Sequence, residues 1–167
     1  DPGLPHPKAV KQDELFDLNG TYVYKLSANP YSGRGESHHD NGKLRSLGVY
    51  KDGKLLNRFV YKWHPNGKRE SEFKFWEGKI DGIQQSWHDN GQQQSLTNYQ
   101  DDQKEGKSTF WHKNGKKKAE ENYKGGMLDG NKTHWNDKGQ LELEADFIAG
   151  KETARTLFEW HPNGKQK

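Results

Sequence analysis

The stretch Trp63-His64-Pro65-Asn66-Gly67 decides the fold of this chain, because it recurs. The same Trp-His-x-Asn-Gly string stands at 87–91, 111–115 and 160–164, and a degenerate copy stands at 135–139. From one Trp to the next, the steps are 24, 24, 24 and 25 residues. A fixed period of this size predicts a repeat architecture. Repeat arrays usually present an extended binding surface and seldom a catalytic pocket.

Each repeat contains two turn signals. The first is Asn-Gly, as at Asn66-Gly67, which favours a tight hairpin turn because both residues tolerate positive φ. The second is a looser segment, as at Glu77–Lys79. The runs between turns are six to nine residues long and lack helical periodicity. They predict a unit of strand, tight turn, strand, loose turn.

Two aromatic columns follow the period, and with only 28% hydrophobic residues we expect them to supply most of the core. One column contains the Trp residues, and the other contains Tyr50, Phe75, Tyr99, Tyr123 and Phe147. We expect both columns to line one side of the sheet. The predicted fold class is all-β, an elongated antiparallel meander of tandem β-hairpin repeats of about 24 residues.

The sequence predicts a flexible N-terminal leader at 1–14 and a single repeat domain at 15–167, whose array begins near Asn19-Gly20. The chain starts at Asp1 without Met, which fits a removed signal segment or a trimmed boundary equally well. It contains no cysteine, which excludes disulfides and zinc–thiolate sites and fits an exported bacterial protein. We therefore expect the periplasm or cell envelope of a bacterium, with the cytoplasm left open.

The repeats resemble the MORN-variant repeats of bacterial proteins of the YwqK-type antitoxin component family. Residues 63–82 read WHPNGKRESEFKFWEGKIDG, and residues 111–130 read WHKNGKKKAEENYKGGMLDG. The resemblance covers roughly residues 15–167 and departs from the family pattern at Asp102, Asn136, Lys138 and Ala154. It implies tandem hairpin repeats and an antitoxin role with an unidentified partner.

Candidate chemical sites are outweighed by structural interpretations. A histidine column runs through His39, His64, His88, His112 and His161. Its members are expected about 10 Å apart, too far to share one zinc ion without other ligands, so we predict a packing role beside the turns. The carboxylate pairs Glu70/Glu72, Glu120/Glu121 and Glu142/Glu144 are expected to be solvated, which does not suit acid–base catalysis. We predict no enzyme activity, no metal site and no cofactor.

The sequence favours a non-catalytic module that binds a partner protein, such as a toxin or effector, in an antitoxin, immunity-like or cell-envelope scaffold role. The alternative is a lipid or membrane-surface binding module. Self-association through open edge strands is a third role, and the sequence leaves the oligomeric state open. The net charge of +3 argues against a nucleic-acid partner. The candidate binding residues are Trp63, Trp87, Trp111, Trp135, Trp160, Tyr99, Tyr123, Lys116, Lys117 and Lys118.

Overall fold

The computed structural model describes residues 9–18, 21–24 and 29–167. The first eight residues of the predicted leader and the predicted array start at 19–20 lie outside these ranges. Of the leader residues that are described, Val10–Lys11 form a short strand and Gln12–Glu14 form one turn of 3₁₀ helix.

Strands make up almost all of the described secondary structure. In chain order they are β1 (Val10–Lys11), β2 (Leu15–Leu18), β3 (Thr21–Tyr24), β4 (Gly33–His38), β5 (Leu44–Lys51), β6 (Lys54–Trp63), β7 (Arg69–Trp76), β8 (Lys79–Ile80), β9 (Gly82–Trp87), β10 (Gln93–Gln100), β11 (Gln103–Lys104), β12 (Gly106–Trp111), β13 (Lys117–Lys124), β14 (Met127–Trp135), β15 (Leu141–Ile148) and β16 (Lys151–Leu157). The predicted all-β fold of tandem antiparallel hairpins is confirmed. In the described ranges, no helix has the length and hydropathy needed to span a bilayer.

The chain divides into two compact units. Unit 1 contains the described residues up to Lys62 together with Phe73–Lys79, and unit 2 contains Trp63–Glu72 together with Ile80–Lys167. In unit 1, β1 pairs in parallel with β4, β5 pairs antiparallel with both β4 and β6, and β2 and β3 form a separate hairpin. In unit 2, every neighbouring pair along the order β9-β10-β12-β13-β14-β15-β16 is antiparallel.

The two turn types are the reverse of the prediction. At the Asn-Gly turn, the His64 nitrogen donates to the Lys68 carbonyl, so the loop has three residues, and only Gly67 among them has positive φ. The segment expected to be loose is the tight two-residue turn. Asp52-Gly53 and Ala149-Gly150, for example, have positive φ at both positions, which is the type I′ geometry of short hairpins. The Asn-Gly prediction failed because Asn favours this turn through its side chain, whose Oδ1 accepts the backbone N–H two residues ahead.

The two aromatic columns lie on opposite faces of the unit 2 sheet, which corrects the expectation that they share one side. Residues directly opposite each other in an antiparallel pair project from the same face, and neighbours along a strand project from opposite faces. Phe110 is opposite Ala119, and Ala119 is four residues from Tyr123, so these three share a face. Trp111 follows Phe110 and lies on the other face. We call the side of Tyr99, Tyr123 and Phe147 the Tyr face, and the side of Trp87, Trp111 and Trp135 the Trp face.

Glycine recurs at one position of the repeat, shortly before the Trp, because of the backbone conformation there. Gly82, Gly106 and Gly130 have φ of 95°, 72° and 98°, which an L residue rarely adopts. Asn57 and Ala154 occupy the equivalent positions without positive φ, and there the strand pairing shifts register beside them. The strand before each Trp therefore adapts at this position in two ways, through a glycine with positive φ or through a register shift beside a residue other than glycine.

In unit 1, the N-terminal segment packs against the hairpin of β4 and β5. Leu15 and Tyr50 are buried at 8% and 3% exposure, against the directly opposed pair Gly35 and Gly48. A Cβ atom on Gly48 would lie 2.6 Å from Tyr50 Cε2, so the ring occupies the space that the glycine leaves. The rings of Tyr22 and Tyr31 contact Tyr50 with centroids 4.9 and 5.8 Å away.

The aromatic columns do not supply most of the core of unit 2, which corrects the expectation from the sequence. Its described buried residues are small, namely Ser71, Thr97, Ser108, Thr109, Ala119 and Ala145. The Trp column and the aromatic residues of the Tyr face are only half-buried. The strands of unit 2 contact one another side by side in a single sheet. Much of the aromatic surface therefore remains on the two faces.

Candidate interaction surface

The Asn-Gly turns of unit 2 are joined by a repeated set of hydrogen bonds from one repeat to the next. His64, His88 and His112 each place Nε2 2.7–2.9 Å from the carbonyl oxygen of the following Trp. A carbonyl only accepts, so each Nε2 carries the proton. The side-chain amides of Asn66, Asn90 and Asn114 donate to the next turn at 2.6–2.7 Å.

These contacts give His64, His88 and His112 the packing role that the sequence predicted for the histidine column. Each histidine satisfies a backbone carbonyl at the point where one repeat meets the next. In the described ranges, no group of three or more His, Asp or Glu side chains is arranged to hold a metal ion.

The three consecutive lysines do not form one basic patch. Lys116 Nζ donates to the Lys138 carbonyl in the next turn at 2.7 Å. Lys117 pairs with Glu120 at 2.6 Å, with its Nζ 6.0 Å from the Trp135 ring centroid. Lys118 is the extra residue of the register shift between β12 and β13 and is exposed. The run is therefore divided among three local environments.

At the start of the Trp column, a long side chain from the second strand of the repeat lies between two Trp rings. The Arg69 guanidinium lies 5.5 Å from the Trp63 ring centroid and 5.7 Å from that of Trp87. Cation–π contacts of this kind hold the cation over the ring face. At the end of the column, Trp160 Nε1 donates to the Leu141 carbonyl at 2.6 Å. Ring faces already covered by cations are poorly suited to stack against the bases or sugars of a ligand.

An open groove of about 480 Å³ lies beside two consecutive Asn-Gly turns. It is lined by His88, Gln94, Phe110, Trp111, His112, Lys113, Asn114, Lys118 and Asp137. Gln94 and Lys118 are the extra residues of equivalent register shifts in consecutive repeats. The groove brings Lys118 and Trp111 together, whereas Lys116 and Lys117 do not line it.

The Tyr face carries a polar cluster that the sequence did not predict, formed by Lys104, Glu121, Tyr123, Lys132 and His134. The Tyr123 hydroxyl donates to Glu121 Oε2 at 2.6 Å, and Lys132 Nζ and His134 Nε2 lie 3.2 and 3.3 Å from Oε1. Lys104 Nζ lies 3.3 Å from the Tyr123 hydroxyl and 4.5 Å from its ring centroid. The Glu121 side chain is 12% exposed, so the prediction that this carboxylate is solvated was wrong.

The charges around Glu121 determine how the cluster titrates. Burial alone would raise the pKa of Glu121, but the hydrogen bonds from Tyr123, Lys132 and His134 outweigh it and leave the pKa lowered. Burial and the adjacent carboxylate raise the pKa of Tyr123 far above its usual value. A carboxylate with a lowered pKa and both oxygens occupied is a poor general acid or base at neutral pH. The cluster is better suited to hold the Tyr face in shape and present charge to a partner.

The remaining Tyr-face candidate, Tyr99, is half-buried, and burial raises its pKa. It lies four residues after Ser95, whose hydroxyl is 2.6 Å from that of Ser86 on the opposing strand. Ser71 is opposite Ser86 on the other side, so three serines form a row across the Tyr face. Sequence reasoning missed this row, although the serines at residues 46, 71 and 95 recur at the repeat period and could have revealed it.

Comparison with known families agrees with the repeat structure. A family model described as MORN repeat variant matches residues 31–59, 80–101 and 104–124. Each matched segment contains one hairpin that closes through an Asn-Gly turn. The match supports a MORN-repeat protein, and such repeats are generally non-catalytic binding modules. No curated protein matched the chain.

Proposed function

We propose that this protein is a non-catalytic binding module that engages a partner protein through the Tyr face of unit 2, in an antitoxin or immunity-like role. A cell-envelope scaffold is the related role in which the partner is another envelope protein. The observation that carries the proposal is a single-layered sheet whose Tyr face has half-buried aromatic rings beside a charged cluster. Exposed aromatic surface with a polar surround is typical of protein interfaces.

The Tyr face supports this role better than the Trp face does. On the Trp face, the Arg69 side chain fills the space between the Trp63 and Trp87 rings. On the Tyr face, Lys104 lies over Tyr123, but the half-buried rings of Tyr99 and Phe147 have no cation over them within the described ranges. Leu157 at the end of the sheet is 66% exposed. Tyrosine is among the residue types that contribute most of the binding free energy in protein complexes.

The lipid-binding alternative has less support. Attraction to an anionic headgroup layer needs several cations that face the same surface. Lys116 and Lys117 are engaged in different directions, with a backbone carbonyl and with Glu120. The partner in our proposal is therefore a protein. We also propose export to the periplasm or cell envelope, supported by the absence of cysteine from the sequence.

A pull-down from the cells that make the protein, read by mass spectrometry, tests the proposal. We expect one protein to be retained in stoichiometric amount by the wild type and to be lost from Tyr99→Ala. The matched control is Asn98→Ala, since Asn98 is adjacent in β10 and projects from the Trp face. Its complex should survive. Co-expression should also relieve any growth arrest that the retained partner causes.

Two results would contradict the proposal. If Asn98→Ala lost the partner and Tyr99→Ala kept it, the binding surface would be the Trp face. If no protein were retained but the chain co-sedimented with vesicles containing anionic lipid at low salt, the lipid alternative would replace it.

A further inference from the structure

The Ser37–Ser46 pair of unit 1 already binds a segment of this chain. The two hydroxyls lie 2.7 Å apart on opposed residues of β4 and β5, and Ser46 Oγ donates to Gln12 Oε1 at 3.2 Å. Three residues after Gln12, Leu15 packs against Gly35 and Tyr50. Ser46 is 1% exposed and Tyr50 is 3% exposed in this arrangement.

The same arrangement recurs 49 residues later in unit 2, without the segment. Ser86 and Ser95 are directly opposed on β9 and β10, with hydroxyls 2.6 Å apart. Ser86 Oγ also donates to the exposed Gln94 Oε1 at 3.4 Å, a long contact that an incoming amide would replace. Tyr99 stands four residues after Ser95, as Tyr50 stands four residues after Ser46. Ser86, Ser95 and Tyr99 are all half-buried, whereas Ser46 and Tyr50 are fully buried.

The third serine of the row indicates unused hydrogen-bonding capacity. Ser71 lies opposite Ser86, is 6% exposed, and its hydroxyl has no hydrogen-bond partner within the described ranges. A buried hydroxyl without a partner is costly, so such groups usually mark a site that a ligand or water completes.

We propose that Ser86, Ser95 and Tyr99 form a second binding site for an extended segment, supplied by the partner protein, with an amide side chain over the serine pair. This inference rests on the proposed function and specifies the chemistry of the partner. A serine pair can present either a donor or an acceptor as its hydroxyls rotate. A Gln or Asn side chain offers both, as Gln12 does in unit 1.

The position equivalent to Leu15 must differ in the partner. In unit 1, Leu15 lies over Gly35, which is opposite Gly48, and a Cβ on Gly35 would lie 3.0 Å from Leu15 Cδ1. The equivalent opposed pair in unit 2 is Gln84 and Thr97, which both carry side chains there. A small residue three positions after the amide therefore fits, and the Leu-containing segment of a second copy of this chain does not.

Titration of the full chain with a synthetic peptide of residues 9–18 that carries Leu15→Ala tests the site, with backbone amide shifts as the readout. We expect saturable shifts centred on Ser86, Ser95 and Tyr99. Ser95→Ala should weaken binding by about tenfold, the effect of one lost hydrogen bond. The variant should fold, because Ala119 occupies the equivalent position of the next repeat and is well packed. A peptide that also carries Gln12→Leu should weaken similarly, and Thr156→Ala on the Trp face should have no effect.

Several outcomes would overturn the proposal. One is the absence of shifts at Ser86 and Ser95 up to the solubility limit of the peptide. Others are shifts confined to Ser37 and Ser46, or shifts that Ser95→Ala leaves unchanged. Shifts that grow with protein concentration without peptide would identify a second copy as the occupant instead. If the pull-down partner binds wild type and Ser95→Ala equally, this site fails while the proposed function stands. If nothing is retained in the pull-down but the peptide binds as expected, the proposed function fails while the peptide-binding site stands.

Discussion

At the scale of single residues, Tyr50 of unit 1 combines a deeply buried ring with an unsatisfied hydroxyl. Its hydroxyl is buried and has no hydrogen-bond partner within the described ranges, and burial raises its pKa. Tyr50→Phe removes the unsatisfied group and keeps the ring. We expect the free energy of unfolding to rise by about 1 kcal/mol, measured by urea denaturation.

The contrasting change is Gly48→Ala in the same contact. The added Cβ would lie 2.6 Å from Tyr50 Cε2, so the ring must move, at a cost of about 1–3 kcal/mol. A Tyr50→Phe variant less stable than wild type would show that the hydroxyl has a partner, such as an ordered water.

The type I′ turn at Ala149-Gly150 gives a prediction of unusual sign. Ala149 has φ of 47°, a conformation that costs a non-glycine residue about 1–2 kcal/mol. We expect Ala149→Gly to stabilise the chain by about 0.5–1 kcal/mol, because the relief exceeds the added chain entropy of glycine. Ala154→Gly is the matched control, since Ala154 is exposed with ordinary φ. It should destabilise by about 0.5–1 kcal/mol, and a loss of stability at both positions would contradict the argument.

At the scale of the hairpin, the Asn-Gly turns hold neighbouring repeats together. Asn114 Oδ1 accepts from the Lys116 nitrogen at 3.0 Å within its own turn, and Nδ2 donates to the Asp137 carbonyl of the next turn at 2.6 Å. Asn114→Asp keeps the first bond and loses the second, whereas Asn114→Ala loses both. We expect losses of about 1 and about 2 kcal/mol in the free energy of unfolding.

The chain contains its own control for this series. Asn163 Oδ1 accepts from Lys165, but its Nδ2 has no acceptor within the described ranges. Asn163→Asp should therefore cost almost nothing. Equal losses from Asn163→Asp and Asn114→Asp would mean that the bond between turns contributes no stability.

The Glu121 cluster joins side chains of β11, β13 and β14 and makes the stability of this part of the sheet depend on pH. Because the folded pKa of Glu121 lies below its usual value of 4.5, the ionised side chain stabilises the fold fully above that pH. This contribution is lost as the pH falls from 4.5 through the lowered folded pKa. Measurements at pH 7 and pH 3 lie on either side of this window. We expect the urea midpoint to drop less between these two pH values in Glu121→Gln than in wild type. Glu144→Gln, at an exposed position, should leave the drop unchanged.

The hairpins also show how far sequence patterns reach. The period, the strands and the positions of both turns were predictable, since Asn-Gly pairs and Trp residues recur at fixed steps. The turn types were not, because an Asn-Gly pair suits a two-residue turn and a three-residue turn alike. At 101–102, both central residues of the short turn are Asp, and their positive φ values of 50° and 67° had no clear sequence signal.

At the scale of the whole molecule, assigning the aromatic columns to faces needed the strand register. A register shift beside the Asn-Gly turns at 41–42, 90–91 and 114–115 adds one residue to the second strand, as between Phe110 and Trp111. Counting along the sequence across that shift placed Trp111 and Tyr123 on one face, although they lie on opposite faces. The candidate residues consequently divide between the two faces, with Arg69 beside Trp63 and Trp87 on one and Lys104 over Tyr123 on the other. No composition argument could have separated them.

Repeat architecture also predicts how damage spreads through the molecule. In an array, each repeat is stabilised mainly by its immediate neighbours, so a local loss should remain local. We expect Asn114→Ala to speed amide hydrogen exchange in β12–β15 and to leave β4 and β5 of unit 1 unchanged. Gly48→Ala should give the converse pattern. Exchange should be faster in β4 and β5 and unchanged in β13–β15. Faster exchange throughout the chain in both variants would instead show that the repeats unfold as one cooperative body.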